Sequence, residues 1–454
     1  MSSTPNILVV TADTLGARMA GPAIRAFEMA KAISKVTTVR LVSTTFSSLT
    51  HPDFEVLHTT PPELHAQERW ADVIIFQGHL LASHPWMKKS SKIIVADIYD
   101  PMHLEQLEQG SDLPTEERFL ASASVVGLLN EQIERADYML CASEKQRDFW
   151  LGQLAAVGRI NPATHDQDAS LRALLDVVPF GVADSAPVQR AHGIKGTVPG
   201  IGPDDKVIIW GGGIYNWFDP LTLIRAVHKL SIKRPDLRLF FLGVKHPNPS
   251  VPTMRMGFEA HALARELGIL DSVVFFNEGW VPYEQRADYL LDADVGVSTH
   301  LEHLETAFSF RTRILDYLWA GLPIVSTTGD TFADIVDKQQ LGRTVPPRDV
   351  DALVQAIDEV LYDEAENARV SARVTEFAAT MTWAIALQPL IEFCMNPHQA
   401  QDRALGIEPA SSYQVRRLTT RVAGLEASLS WRITAPLRAT ADGVRKLLGL
   451  RRKL

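Results

Sequence analysis

Short apolar runs recur along the first half of the chain, separated by stretches with helical spacing. Asn6–Val10 (NILVV), Val39–Ser43, Val73–Gln77 (VIIFQ), Lys92–Asp97 (KIIVAD) and Tyr138–Ser143 (YMLCAS) are too short for helices and largely apolar, the pattern of strands buried on both faces. Amphipathic segments such as Pro22–Ser34 lie between them, and Val177–Val182 (VVPFGV) closes the series. Alternation of this kind predicts a parallel sheet covered by helices, a doubly wound α/β domain over residues 1–183. Residues 184–205, rich in Gly, Pro and polar side chains, read as a linker. The alternation restarts with Val207–Trp210 (VIIW), Leu237–Gly243, Val273–Phe276, Val295–Ser298 and Pro323–Ser326, which predicts a second doubly wound domain over 206–380. Met381–Cys394 has helical spacing with a break at Pro389, giving a helix over 381–397. Beyond Pro397 the pattern changes, and residues 398–454 read as a separate helical tail: Tyr413–Ala427 has heptad-like spacing and Gly443–Leu454 is basic and amphipathic. Two facing α/β domains create a cleft lined by the carboxyl ends of both sheets, where ligands bind in such folds.

Composition narrows the reading. The 454 residues exceed what one core supports, and a formal charge of -9 argues against nucleic acid as a partner. The tail departs from this average: from Ser412 onward there are ten Lys and Arg against Glu426 and Asp442. Two cysteines, Cys141 and Cys394, in no metal-ligand spacing, suggest a reduced cytoplasmic protein. The start lacks the basic, apolar pattern of a secretory leader, and no run reaches the length of a membrane span. The expected location is therefore the cytoplasm. In residues 428–454, Val444, Leu447, Leu448 and Leu450 interleave with Arg and Lys, which suits either an anionic inner membrane face or an oligomer contact.

Three segments carry candidate chemistry. After the first strand, Gly16 and Gly21 allow close backbone approach, and the helix begun by Gly21 and Pro22 offers N–H groups to an anion. After Trp210, the run Gly211, Gly212, Gly213 suits contact with a diphosphate, with Asn216, Trp217 and Asp219 at the same strand end. The third segment runs from His300 to Asp330. An acid-bearing loop with Glu302 and Glu305 leads to a helix expected over Phe310–Ala320, capped by Ser309 and ended by Gly321. Arg311 and Arg313 fall in its first turn, where cations oppose the helix dipole, so an anionic ligand is expected to offset them. Asp316, a turn or so later, can accept hydrogen bonds from two ribose hydroxyls. Asp97, Tyr99, Asp100 and His103 cluster at the end of the fourth strand, with His79 nearby, all expected to face the cleft.

The third segment, with VVPFGV and the Trp210–Gly213 turn, resembles retaining glycosyltransferases of family four, which have the GT-B fold. That family carries two glutamates separated by seven residues, the second opening an A-x-G-x-P-V sequence. DYLWAGLPIV matches in Gly321 and Pro323, and Asp316 stands at the second, ribose-binding acid. The run VVFFNEGWVPYEQRADYLLDADVGVSTH is similar to the family's V-x-F-x-G…ADV-x-V, which implies that Gly279, Trp280 and Val281 border the nucleotide base. Thr382 and Trp383 resemble the start of the family's closing helix. The position of the first family glutamate is Phe308, with Glu305 three residues earlier. The R…K pair that follows the family's glycine turn is missing. Tyr99 replaces a histidine, and Asp100 is retained. SLSWRITAPLR (Ser428–Arg438) is similar to sequences near the ends of bacterial enzymes that build surface polysaccharides.

The resemblance implies metal-independent transfer of a hexose, with retention, from a nucleotide diphosphate sugar to a surface glycan or lipid-linked acceptor. The nucleotide sugar is a substrate, and no cofactor is implied. Ser309, Phe310, Arg311, Arg313, Asp316, Asn216, Trp280, Gly21 and the Gly211–Gly213 turn are the expected donor contacts. Asp100, Glu305 and Arg311 are the expected catalytic groups. A sugar-nucleotide epimerase of the same form, or a non-catalytic nucleotide-sugar-binding assembly partner, are the alternatives.

Overall fold

A computed structural model describes residues 4–434 apart from 245, 249–250, 252–253 and 408–409. The first sheet comprises β1 (Asn6–Thr11), β2 (Thr38–Ser43), β3 (Glu55–His58), β4 (Val73–Gln77), β5 (Ile93–Asp97), β6 (Tyr138–Cys141) and β7 (Leu175–Val177), ordered β3-β2-β1-β4-β5-β6-β7. The second comprises β8 (Lys206–Trp210), β9 (Leu237–Phe241), β10 (Val274–Phe276), β11 (Val295–Ser298), β12 (Ile324–Thr327) and β13 (Gly342–Val345), ordered β10-β9-β8-β11-β12-β13. The paired strands are parallel, with β1 central in the first sheet (Ile7 opposite Val39 and Val73) and β8 in the second. Each order reverses beside its first strand, and there the crevice at the strands' carboxyl ends opens.

The fold is GT-B: two doubly wound α/β domains facing one cleft, with helices at the C-terminal end. The central strands are apolar because helices cover both their faces; β4 is buried at all five positions. The helix Gly21–Ile33 buries Ala23, Ala26, Met29, Ala30 and Ile33 on the first sheet, small residues alternating with large to let the backbone approach. Edge strands β3 and β13 escaped the sequence reading because half-exposed polar edges carry no apolar run. VVPFGV is mostly turn, since β7 ends at Val177 and Pro179 removes a ladder donor. At Val182 the chain pairs with the returning segment: Val182 N–H donates to Met381 O (2.7 Å) and Trp383 N–H to Val182 O (2.9 Å). Helices Trp383–Ala386 and Gln388–Met395, parted at Leu387, then pack on Gly21–Ile33.

The tail is not separate from residue 398 onward. Ala400 is buried, and Asp402 pairs with Arg159 at 2.7 Å with both side chains at most 3% exposed. Arg403 reaches Asp137 at 3.0 Å. A buried carboxylate and its partners fix this stretch to the first domain, a long-range pairing no local pattern announces. Helix Ala410–Ala427 follows. The Gly443–Leu454 stretch lies outside the described residues, as does the 428–454 segment beyond residue 434. Among the described residues no helix is long and apolar enough to cross a membrane.

Candidate active site

The two sheets open onto one cavity of about 870 Å³. Gly21, Asp100, Gly211, Gly212, Gly213, Trp280, Glu305, Ser309, Phe310, Arg311, Arg313 and Asp316 all line it. Asn216 does not. Its Oδ1 accepts from Met256 N–H (3.2 Å), so it holds the start of helix Arg255–Glu266 instead of facing the cleft. His103 also turns away, stacked on Phe149 and near Trp150, where burial lowers its pKa. Asp97 reaches the wall but is held by Arg25 at 2.7 and 2.8 Å and by Gln77. It braces the first domain, and burial still pushes its carboxyl up against the pull of Arg25.

The His300–Asp330 segment folds differently from the single capped helix expected. Leu304–Phe308 and Arg313–Trp319 are two short helices, and Ser309 follows the first, its hydroxyl donating to Thr306 O (3.2 Å). The cause is Arg311. Its guanidinium turns back to grip Glu305 bidentately (2.9 and 2.8 Å), with Asp330 at 3.7 Å from Nε. Glu305 and Arg311 are 1% and 4% exposed, so their charges largely satisfy one another. Arg311 is thus not the free phosphate clasp anticipated from its position.

Arg313 differs. It lies over Trp210 and Phe218 (4.2 and 4.0 Å), donates Nη2–H to Gly213 O (3.0 Å), and leaves Nη1 buried without a hydrogen-bond partner. Burial lowers its pKa to about 10, and it remains a cation at neutral pH. The glycine turn is positioned from below by Tyr317, whose hydroxyl accepts from Gly211 N–H (2.8 Å) and donates to Val297 O (2.8 Å). Tyr317 fits only because β11 carries Gly296; a Cβ there would stand 2.4 Å from the ring. Gly212, at φ +80°, bends the turn into the cavity in a conformation that side chains resist.

Asp316 faces the cavity, its carboxylate 3.4 Å from Arg286. Arg286 is sandwiched between Tyr283 and Trp319 (3.8 and 4.1 Å). Burial raises the Asp316 carboxyl, and Arg286 restrains the rise. The helix ends at Gly321, φ +67°, as its sequence suggests.

Across the cavity the first domain presents Asp100, on the loop after β5, and Glu105, on helix Met102–Gln109. The two carboxyls share a hydrogen bond. Enclosure by protein, then the charge of Glu305, pushes Asp100 up to about 7; Glu105 is driven well above the usual carboxylate range for the same reasons and by Asp100 itself. One proton between two such acids makes a donor and an acceptor at the same point. Sequence reading missed Glu105, though it stands in the segment ADIYDPMHLE already singled out, just over one turn after Asp100. It also missed Arg286, and Asp13, whose Oδ2 is buried beside the cavity without a partner. Neither had a local signal: Arg286 finds Asp316 and Trp319 about 30 positions further along the same domain, and Asp13 shows its role only once the cavity is formed. Among the described residues no group of three or more His, Cys, Asp and Glu is arranged to hold a metal ion.

Residues 205–363 match the family described as glycosyl transferases group 1. D-inositol 3-phosphate glycosyltransferase of Mycobacterium marinum is 24% identical over 366 residues, covering 78% of this chain and 66% of that protein, so the match spans just under two thirds of that relative's length. Among solved structures, WaaG, a glycosyltransferase involved in lipopolysaccharide biosynthesis, superposes with a TM-score of 0.57 at 14% identity, covering 86% of this chain and 100% of that one. Anabaena Alr3699/HepE in complex with UDP and glucose gives 0.59 at 12% identity, with coverage of 86% and 100%. The likenesses to solved structures carry the fold. The cavity's second wall lies within the stretch that matches the glycosyl transferases group 1 family, and the chain has the two-domain GT-B build.

Proposed function

We propose that this transferase moves a hexosyl group from a nucleotide diphosphate sugar to a surface-glycan or lipid-linked acceptor, with retention. The observation that carries the reading is the facing of two unlike walls across one cavity: the Gly211–Gly213 turn, Arg313 and Asp316 on the group 1 domain, and the Asp100–Glu105 pair opposite. Asp316 takes the ribose hydroxyls. Gly212 N–H and Arg313 Nη1 offset charge on the β-phosphate as the bond from C1 to its oxygen breaks, stabilisation worth most in a site closed to water. The bond from C1 to the acceptor oxygen forms on the same face, and the acceptor proton passes to the departing phosphate. Asp100 and Glu105 hold hydroxyls of acceptor or sugar. Glu305 acts through Arg311, and Arg311 positions the loop. The expected environment is the cytoplasmic side of the membrane, where the basic charge of residues 428–454 suits an anionic surface near a lipid-linked acceptor.

The inositol phosphate relative raises a second reading, a phosphorylated polyol acceptor. Charge argues for the neutral one. The first-domain residues lining the cavity include Asp13, Asp97, Asp100 and Glu105 and, among the described residues, no Lys or Arg. A phosphate there would meet acids. Thermal shift and release of nucleoside diphosphate across a panel of nucleotide sugars test the donor. A ligand at about 100 times its Kd adds roughly 2.7 kcal/mol to stability. Asp316→Asn should raise the donor Kd at least tenfold while the unliganded melting temperature holds. Absence of any nucleotide-dependent shift in the wild type sinks the proposal.

A further inference from the structure

Helix Ala410–Ala427 carries an apolar seam that, among the described residues, nothing covers. From Arg417 to Ala427 every residue is exposed. Leu418, Val422 and Leu425, with Leu429 just beyond, are 60%, 51%, 54% and 76% exposed. Their spacing is four, three, four. At 100° per residue the three on this helix, Leu418, Val422 and Leu425, fall within an arc of about 60°. Leu429, which opens the next short helix after a bend at Ser428, continues their spacing. This is the narrow seam of a coiled coil and not the broad stripe of roughly 100° or more by which a helix lies on a globular core. Most of a helix's stability in a protein comes from packing its apolar face, which this 18-residue helix does not do among the described residues. Three large aliphatic side chains in one line, with Leu429 just past the bend, give it a reason to seek a partner.

The seam also specifies which partner. In heptad terms Leu418 and Leu425 are d residues, and Val422 and Leu429 are a residues. Among parallel coiled coils, a β-branched residue at a, here Val422, with leucine at d favours two strands, and the e and g charges set direction. The flanks agree: Arg421 occupies g and Glu426 the following e. In a parallel, in-register pair, g of one helix faces the next e of the other, so Arg421 meets Glu426 of the second helix on both sides of the seam. An antiparallel pair sets g against g and e against e, bringing like charges together. A lipid surface wants a wide apolar face with cations around it, and here the flanking charges are of opposite sign. We propose that a second copy of this chain covers this seam, so that two chains associate through a short parallel coiled coil over residues 418–429. The body domains then lie on the same side of the pair, and both basic C-terminal segments leave it in the same direction.

Sedimentation velocity of the full chain at micromolar concentration reads the mass directly. The expected species is twice the 50.3 kDa chain. Leu425→Lys should raise the dimer dissociation constant at least tenfold, with the melting temperature of the body unchanged. Arg421→Glu should weaken association, and adding Glu426→Arg should restore it. For direction, Leu418→Cys should give a covalent dimer on mild oxidation, since a parallel register puts residue 418 beside its own copy and the native Cys141 and Cys394 are buried. A monomeric wild type overturns the proposal. So does a dimer indifferent to Leu425→Lys, or one that Leu418→Cys fails to lock. Flotation with vesicles containing anionic lipid supplies the rival outcome: a monomer whose vesicle binding is lost in Leu425→Lys assigns the seam to lipid instead.

Discussion

Removing the Arg311 side chain tests the central correction to the site. In the fold Arg311 and Glu305 face each other through two hydrogen bonds of 2.9 and 2.8 Å, with 4% and 1% of their side chains exposed. Arg311→Leu leaves Glu305 buried without its cation, in a cluster that already holds Asp100 and Glu105. Breaking one side of a buried pair costs about 3–5 kcal/mol, because the remaining charge keeps its desolvation penalty and loses its partner. At roughly 2–4 °C per kcal/mol for a domain of this size, the melting temperature should fall by about 6–20 °C. Replacing both residues with leucine removes both penalties, and the double variant should recover at least half of that loss. The four proteins of this cycle, Arg311→Leu, Glu305→Leu, the double variant and the wild type, are compared by differential scanning calorimetry without ligand. If Arg311→Leu melts within 2 °C of the wild type, or the two losses simply add in the double variant, the pair is not the structural unit argued here. Arg311 then returns as a free anion contact.

The remaining expectations are narrower. Asp100 holds its proton in the fold up to about pH 7, against an ordinary value of 3.8. The folded state therefore binds more protons than the unfolded chain between about pH 4 and 7, and this group's contribution to stability falls as pH rises through that window. Asp100→Asn should flatten the dependence of the denaturation midpoint over the same range; an unchanged slope refutes the assignment. Gly212→Ala meets no atom within 4 Å but must hold φ +80°, so it should cost about 1–2 kcal/mol by urea denaturation and leave the fold intact. Ending the chain after Asn396 strips Arg159 of Asp402 and should lower the melting temperature of the first domain, whereas ending it after Gly406 should not. Equal behaviour of the two truncations would contradict the docking of residues 400–403.

The fold was legible because its central strands are buried on both faces and announce themselves as apolar runs. The two strands that went unread, Glu55–His58 and Gly342–Val345, are edges, where half the backbone faces away from the sheet and side chains need not be apolar. The glycine turn after Trp210 was legible for a different reason: close backbone approach restricts residue type, whatever the surroundings. Asp316 was read from its place on the helix, and it does line the cavity. What sequence did not reveal is who neutralises whom. Arg311 and Arg313 are two residues apart and look equivalent in a helix start. One bends back to Glu305 while the other stacks on Trp210 and bonds to Gly213, and only the path of the intervening turn separates them. Glu105 was hidden likewise. Its chemistry depends on Asp100 beside it and Glu305 on the opposite lobe, about 200 positions away in sequence.

Phe308 connects these observations. It stands where the resembled family carries its first acid, yet its ring packs on Phe149 of the first domain (4.7 Å between centroids). Its carbonyl accepts from Gln146 Nε2 (2.8 Å), and the same amide donates to Tyr99 O (2.8 Å). A position expected to do chemistry here joins the lobes. Similar links stand elsewhere along the contact between lobes: Trp280 Nε1 donates to Met19 O (3.0 Å), Tyr283 N–H to Ala17 O (2.8 Å), and Arg255 pairs with Asp112 (2.8 Å). Each such hydrogen bond contributes roughly 0.5–1.5 kcal/mol net, so they can be made and broken singly. Many are backbone carbonyl contacts, which hold position without demanding one particular opposing side chain. With Phe308 packed between the lobes, the first-domain carboxyls left to face the second domain across the cavity include Asp100 and Glu105. Those two groups line the cavity together with Glu305 of the opposite lobe, whose charge raises both carboxyls beyond what burial does.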